Sequence, residues 1–313
     1  MRHGADNLSH RRREQGIAVV LALLVTTLAV TLVASLFWPQ QVQLRAQENQ
    51  RLQTQGRMLL RGAIDIARQT LHQDGLSSGV TTLDGAWALP VALGGLDEFL
   101  VRGRAEAAAT LSARIVDAQS RYNLANLASG GQVSTPQVQV YDRLLRLLHL
   151  DPALAASTAR ALAQDAAGAL PLQQLDDLLA VPGYTPQVLA ALNSYAVLLP
   201  EPTAVNANTA SAEVLSAALD MPLAEAAGLV ASRGQAWLRD TADLANRLPG
   251  RLVEEGIGLD VRSNYFLVTG SVRLERAALE AQALIRRQLG GRVSSALDQD
   301  DRAPTALVWI RQR

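Results

Sequence analysis

The chain has 313 residues, with 29 basic and 29 acidic side chains, four histidines, no cysteine, 49% hydrophobic and 4% aromatic content. Every basic residue is arginine, which excludes lysine-based phosphate loops and Schiff-base chemistry, while the lack of cysteine excludes disulfide frameworks and cysteine-ligated metals. A formal charge of zero argues against a chain devoted to coating nucleic acid.

At the amino end, Arg11, Arg12 and Arg13 precede an uncharged run from Ile17 to Trp38. Residues 17–38 in a helix reach roughly 33 Å, enough to cross the hydrocarbon layer. The arginine triplet predicts a single-pass topology, with residues 1–16 cytoplasmic and everything after Trp38 exported. Glu14-Gln15-Gly16 followed without a gap by Ile17 resembles a type IV prepilin leader, in which a peptidase cuts after the glycine. Glycine there lets the scissile bond approach a protease closely. The cut would remove four basic and two acidic residues, leaving 25 and 27. Residues 39–74 read as an amphipathic stalk helix, with Leu52, Leu59, Ala63 and Ile66 on one stripe and Pro39 kinking the junction.

Gly75, Gly79, Gly85, Pro90, Gly94 and Gly95 mark a loop-rich stretch. Period-two alternation then predicts strands, first around Leu111 to Val116 and again where Phe266, Val268, Val272 and Leu274 share a face. Leu279, Ala281, Ala283 and Ile285 share another, and a last strand is expected at Ala306 to Ile310. Together these predict an antiparallel sheet formed by residues 75–122 and 264–313, its apolar face covered by the stalk. Residues 123–263 are rich in Ala and Leu and read as a helical insertion with a weak internal duplication, about 123–200 and 203–263. Within the second copy, Thr209 is positioned to cap a helix and Glu213 lies in its first turn.

The leader and span, the segment Ile115 to Leu127 (IVDAQSRYNLANL), the stretch Val205 to Ala210 (VNANTA) and the strand beginning Asn264-Tyr265-Phe266 together resemble the protein K family of the type II secretion system, which are minor pseudopilins. The resemblance covers nearly the whole chain. It implies an α+β fold in which a long amino-terminal transmembrane helix packs on a pilin-like antiparallel sheet, with a large inserted all-helical domain of two SAM-like or helix-hairpin-helix-like subdomains. It also implies an inner-membrane anchor, a periplasmic carboxyl-terminal domain, processing and methylation at Gly16 and Ile17 by the prepilin peptidase, and assembly with pseudopilins I and J, with H, and with the major pseudopilin G. The role it implies is a tip or initiating subunit promoting export of folded proteins. Two departures from the family are Ala118, where an acidic residue is common, and the absence of cysteines for a disulfide seen in some members. Leu21, fifth in the mature chain, stands where most pilins have glutamate; protein K as a rule lacks it.

Alternative chemistry is weaker. The hairpins Val181-Pro182-Gly183 and Asp220-Met221-Pro222 resemble helix-hairpin-helix DNA modules but lack paired glycines and lysines, so a membrane-anchored DNA-uptake protein is the alternative and no nucleic-acid partner is expected. Gly75-Leu76-Ser77-Ser78-Gly79 matches a hydrolase elbow but follows a helix instead of a strand, and no enzyme activity is expected. Two acidic clusters, Asp176-Asp177 and Asp298, Asp300 and Asp301, are candidate calcium ligands weighed against solvated turns. No cofactor is required.

Overall fold

A computed structural model of the chain describes residues 6–89, 91–94, 109–165, 172–248, 258–274, 277–288 and 305–312, with side chains in the first helix described over 18–33 and from 45 onward. Asp298, Asp300 and Asp301 lie outside the described residues. The chain divides into two compact units, residues 1–57 and 58–313. Helix α1, Asp6–Ser77, is assigned without interruption across Pro39 and runs beyond Gly75, where the sequence predicted a loop.

In the first unit the side chains at 18–33 are all exposed and carry no charge. Three threonines interrupt the apolar run, and each turns its hydroxyl back onto the helix. Thr26 Oγ1 donates to Ala22 O at 2.8 Å, Thr27 to Leu23 O at 2.9 Å and Thr31 to Thr27 O at 2.8 Å. Their polarity is thereby satisfied within the segment itself, as an apolar surrounding demands. Among the described residues no helix is long and apolar enough to cross a membrane. Side chains are described for only part of the expected span at 17–38.

The second unit is built on a five-stranded antiparallel sheet whose spatial order follows the chain. Its strands are β1 (Val91–Gly94), β2 (Ala109–Asp117), β3 (Tyr265–Leu274), β4 (Ala277–Arg287) and β5 (Thr305–Gln312). Register pairs Ile115 with Val268, Val268 with Ala283 and Phe266 with Ile285, so one set of alternate residues faces the same way across three strands. Ile64, Ala67 and Leu71 of α1 pack on that set together with Trp87. The buried stripe of α1 is Leu60, Ala63, Ile64, Ala67 and Leu71, while Ile66 is 46% exposed and Leu59 is half-buried. This corrects the predicted stripe by a rotation of about one residue, with the small Ala67 in place of Ile66 letting the helix sit close. Gly270 is where the approach is tightest, since a Cβ there would lie 3.1 Å from Leu60 Cδ2.

The other face of the sheet is only partly open. Ser112 and Ser271 are exposed there and share a hydrogen bond at 2.7 Å, whereas Tyr265, Leu267 and Leu284 are buried against Ala118, Val197 and Leu199. The helical insertion therefore folds back onto the sheet it interrupts. Between β2 and β3 it contributes α2 (Thr135–Leu147), α3 (Ala153–Asp165), α4 (Pro186–Leu192), α5 (Ala212–Leu219), α6 (Leu223–Gln235) and α7 (Thr241–Arg247). Its two halves share one continuous core, with Tyr141, Leu144, Leu145 and Leu192 from the first and Val214, Leu215, Leu229 and Leu244 from the second. Arg143 crosses between them, its Nε donating to Ala217 O at 2.9 Å and lying 3.6 Å from Asp220 Oδ1.

Candidate functional site: a buried polar junction

Asp117 is the last residue of β2, and its carboxylate faces the insertion. Oδ1 accepts from Gln119 N at 2.8 Å, capping the short 3-10 turn at Ala118–Ser120. Oδ2 accepts from Asn206 Nδ2 at 3.0 Å, Thr209 Oγ1 at 2.5 Å and Ser263 Oγ at 2.6 Å. Thr209 is thus not the helix cap its position suggested: Ser211 caps α5, its Oγ accepting from Val214 N, and Glu213 does lie in the first turn. A buried carboxylate is a stronger claimant on the threonine hydroxyl than a helix end that the next serine can serve. Burial pushes the Asp117 carboxyl above its ordinary range, against the hydrogen bonds from Ser263, Thr209, Gln119 and Asn206 that pull it down.

Amides extend the junction in both directions. Gln119 accepts from Asn264 N at 2.6 Å and Tyr265 N at 3.2 Å and donates to Ala204 O at 2.9 Å. Asn206 Oδ1 accepts from Asn208 N at 2.9 Å, and Asn208 clamps both main-chain groups of Leu238 at 2.8 and 2.9 Å. Asn123 holds Leu199 N, Glu201 O and Thr203 Oγ1, and Asn126 holds both main-chain groups of Thr203. On the sheet side Arg287 is buried over the Phe266 ring at 4.6 Å. Its Nη1 pairs with Asp74 at 2.5 Å, and its Nη2 donates to Thr81 Oγ1 at 2.7 Å and Ser263 O at 3.1 Å.

These contacts bring three sequence-distant motifs, Ile115 to Leu127, Val205 to Ala210 and Asn264 to Phe266, to one place. Asp74, Thr81, Ser263 and Arg287 complete the junction and were not singled out in the sequence, where each is an isolated polar residue; the one signal was Arg287 at a core-facing position of a strand. The two hydroxyls that donate to the Asp117 carboxylate, Thr209 and Ser263, are buried with it. It is a joint, in which buried donors and acceptors, Arg287 Nε excepted, satisfy one another when sheet, stalk end and insertion are assembled.

The remaining predicted sites lie elsewhere. Gly16 and Ile17 fall within α1, but their side chains are outside the described residues. Leu21 is 64% exposed on α1. Asp176 is exposed, and Asp177 has both oxygens occupied, Oδ2 by Gln173 N at 2.8 Å and Gln174 N at 3.0 Å and Oδ1 by Gln174 Nε2 at 2.9 Å. Burial raises the Asp177 carboxyl, but these hydrogen bonds and the charge of Arg311 outweigh it and hold it below its ordinary range. The Asp176–Asp177 pair therefore does not fit a calcium cage, because amide donors fill the oxygens that a cation would need. No group of three or more acidic or histidine side chains suited to a metal occurs among the described residues. Ser77 ends α1 and donates to Asp74 O at 3.1 Å, so the hydrolase-like pattern is a helix terminus.

The carboxyl-terminal part of a helix laid on an antiparallel meander, with an all-helical insertion between the second and third strands, defines a protein class of mixed α and β structure. Two family models described as type II secretion system protein K match the chain, one over residues 120–201 and one over residues 205–268. Type II secretion system protein K of Pseudomonas aeruginosa PAO1 is 25% identical over 295 residues, covering 84% of this chain and 86% of that protein. The fold is similar to a chain in the crystal structure of the GspK–GspI–GspJ complex from the enterotoxigenic Escherichia coli type 2 secretion system. The TM-score is 0.66 at 19% identity, over 85% of this chain and 98% of that one. The chain is thus similar to the protein K family of the type II secretion system over its helical insertion and, in the curated relative, over most of its length.

Proposed function

We propose that the chain is a minor pseudopilin that works through its surfaces at the tip of the periplasmic pseudopilus. In this reading residues 17–38 anchor it in the inner membrane by a single pass with the amino terminus cytoplasmic. The prepilin peptidase cuts between Gly16 and Ile17, the new terminus is methylated, and the chain joins pseudopilins I and J, with H and the major pseudopilin G below. The complex to which its fold is similar contains GspI and GspJ, and that is the support for these partners. The observation that carries the reading is the family match over 120–201 and 205–268, which takes in most of the polar junction.

Two features support the finer points. Leu21 offers no carboxylate, and so has nothing to gain from a neighbour's terminal ammonium inside the bilayer, where an unpaired charge costs about 2.5–3.5 kcal/mol on insertion scales. That suits a subunit with no pilin above it in the stack. The insertion, docked on the second face of the sheet through Val197 and Leu199, adds bulk that further stacking would have to pass. Mass spectrometry of the chain purified from inner membranes tests the reading: the expected amino terminus is Ile17 carrying one methyl group. An intact Met1, or no co-purification with I and J, would overturn it.

A further inference from the structure

The segment that leaves α1 and crosses to the sheet is held at both ends. Thr81 is buried with its polar atoms engaged: its N–H donates to Val261 O at 2.9 Å, its carbonyl accepts from Asn206 Nδ2 at 3.1 Å, and its Oγ1 accepts from Ser263 N at 3.1 Å and Arg287 Nη2 at 2.7 Å. Further on, Trp87 is buried in the core shared by α1 and the sheet, edge-on to Phe266 with ring centroids 5.3 Å apart. Between these anchors lies a turn from Thr82 to Gly85, closed by Gly85 N donating to Thr82 O at 3.4 Å, longer than an ordinary hydrogen bond. Asp84 is exposed on this turn, and among the described residues its carboxylate makes no hydrogen bond or ion pair.

The sequence holds two Asp-Gly pairs, Asp74-Gly75 and Asp84-Gly85. In such a pair the carboxyl is open to attack by the next main-chain nitrogen, because glycine carries no Cβ to hinder the approach. The fold treats the two pairs differently. Asp74 lies within α1 with its side chain 10% exposed and its carboxylate paired with Arg287. The Gly75 amide stands in the helical ladder, where each N–H bonds the carbonyl four residues back. Asp84 has a carboxylate without a partner, no helix around it, and a neighbouring amide held by one long bond.

We propose that Asp84 is a modification site, isomerising to isoaspartate through a cyclic imide with Gly85, and that the product loosens the seat of Trp87. The Gly85 nitrogen attacks Cγ of the Asp84 carboxyl in its acid form. The N–Cγ bond forms, the bond from Cγ to the hydroxyl breaks, and the amide proton leaves with that hydroxyl as water. Water then opens the ring at the main-chain carbonyl, breaking the bond from Asp84 C to Gly85 N and leaving the nitrogen on Cγ. Nothing is oxidised or reduced, and the backbone gains one methylene. The path from Thr81 to Trp87 thus lengthens while both ends stay fixed. The slack has no room toward the indole, since a Cβ on Gly85 would already lie 2.5 Å from Trp87 Nε1, 2.7 Å from its Cδ1 and 3.0 Å from Asp74 Oδ1. The inference goes beyond the assembly reading and does not depend on it, since the reaction needs only this chain and water.

The test ages the full chain in detergent at neutral pH and digests it with trypsin, which leaves Asp74 and Asp84 together in one peptide, residues 69–102. Electron-transfer fragmentation then assigns each isoaspartate to its position. Conversion at 84 is the expected result, with position 74 at least about tenfold slower because its amide must first leave a helix. Asp84→Glu is expected to abolish the signal, since the longer side chain would have to close a larger ring. The converted fraction of the natural chain is expected to unfold at a lower midpoint than fresh chain, whereas aged Asp84→Glu keeps the midpoint of its own fresh sample. No isoaspartate at 84, equal or faster conversion at 74, or an unchanged midpoint in the converted fraction would overturn the proposal.

Discussion

Asp117 is a carboxylate with four donors aimed at it and no cation bonded to it. Replacing it with alanine strands Thr209, Ser263, Asn206 and the Gln119 amide in a dry site, where each unmade hydrogen bond costs about 1–3 kcal/mol and hydroxyls that can turn recover part of the loss. Asp117→Ala is therefore expected to destabilise the protein by roughly 3–5 kcal/mol, read from urea unfolding. The pH dependence follows from the raised pKa. A carboxyl raised in the folded state contributes its stability fully below the unfolded value, about 3.9, and loses it as pH rises through the folded value. Asp117→Asn cannot ionise and lacks that slope, so the stability advantage of the natural protein over this variant is expected to shrink from about pH 4 toward neutrality. A gap that widens over the same range would mean that the four donors outweigh burial.

Elements were legible where periodicity was clean and illegible where a single side chain chose between neighbours. Alternation placed the sheet strands, because a strand with one buried face repeats every second residue, and Leu111, Ala113 and Ile115 are buried as read. The stalk stripe was displaced because Ala67, a small residue, outcompetes Ile66 for the close approach. The hydrophobic scale ranks the two by size, whereas packing ranks them by the gap available. Leu71, fully buried between α1 and the sheet, is expected to cost about 2–5 kcal/mol on truncation to alanine. Gly270→Val is expected to lower the unfolding midpoint even though valine suits a strand, because its side chain must displace Leu60. A rise in midpoint would show that α1 can shift without loss.

At the scale of the whole molecule, what the sequence could not reveal is the joint. Asn123, Asn206 and Asn208 in an Ala- and Leu-rich stretch were visible as a motif, but Asn206 bonds Thr81 and Ser263 across 125 and 57 residues, and Arg287 reaches Thr81 across 206. Pairwise distance in sequence carries no signature of burial. The insertion was read as two subdomains, about 123–200 and 203–263, and the apolar side chains of the two join in one core. Residues 58–313 are accordingly expected to unfold in one transition, with helical circular dichroism and Trp87 fluorescence melting together. Two resolved transitions would show that the core joins the halves less tightly than their packing implies.

The central pairing of the sheet has a consequence for the order in which the molecule comes into being. Asp117 is registered with Phe266, so the second strand leaves the ribosome long before its neighbour exists. During synthesis its apolar edge must wait through the whole insertion. Helical contacts are local and close quickly, and distant strand pairing is slow. The insertion thus matures first and shortens the effective loop, and the closing hairpin arrives last to seal Leu71, Ile115 and Asp117 together. A nascent chain halted before Tyr265 is left with a finished helical lobe and an unroofed stalk, the species on which quality control and premature self-association would act.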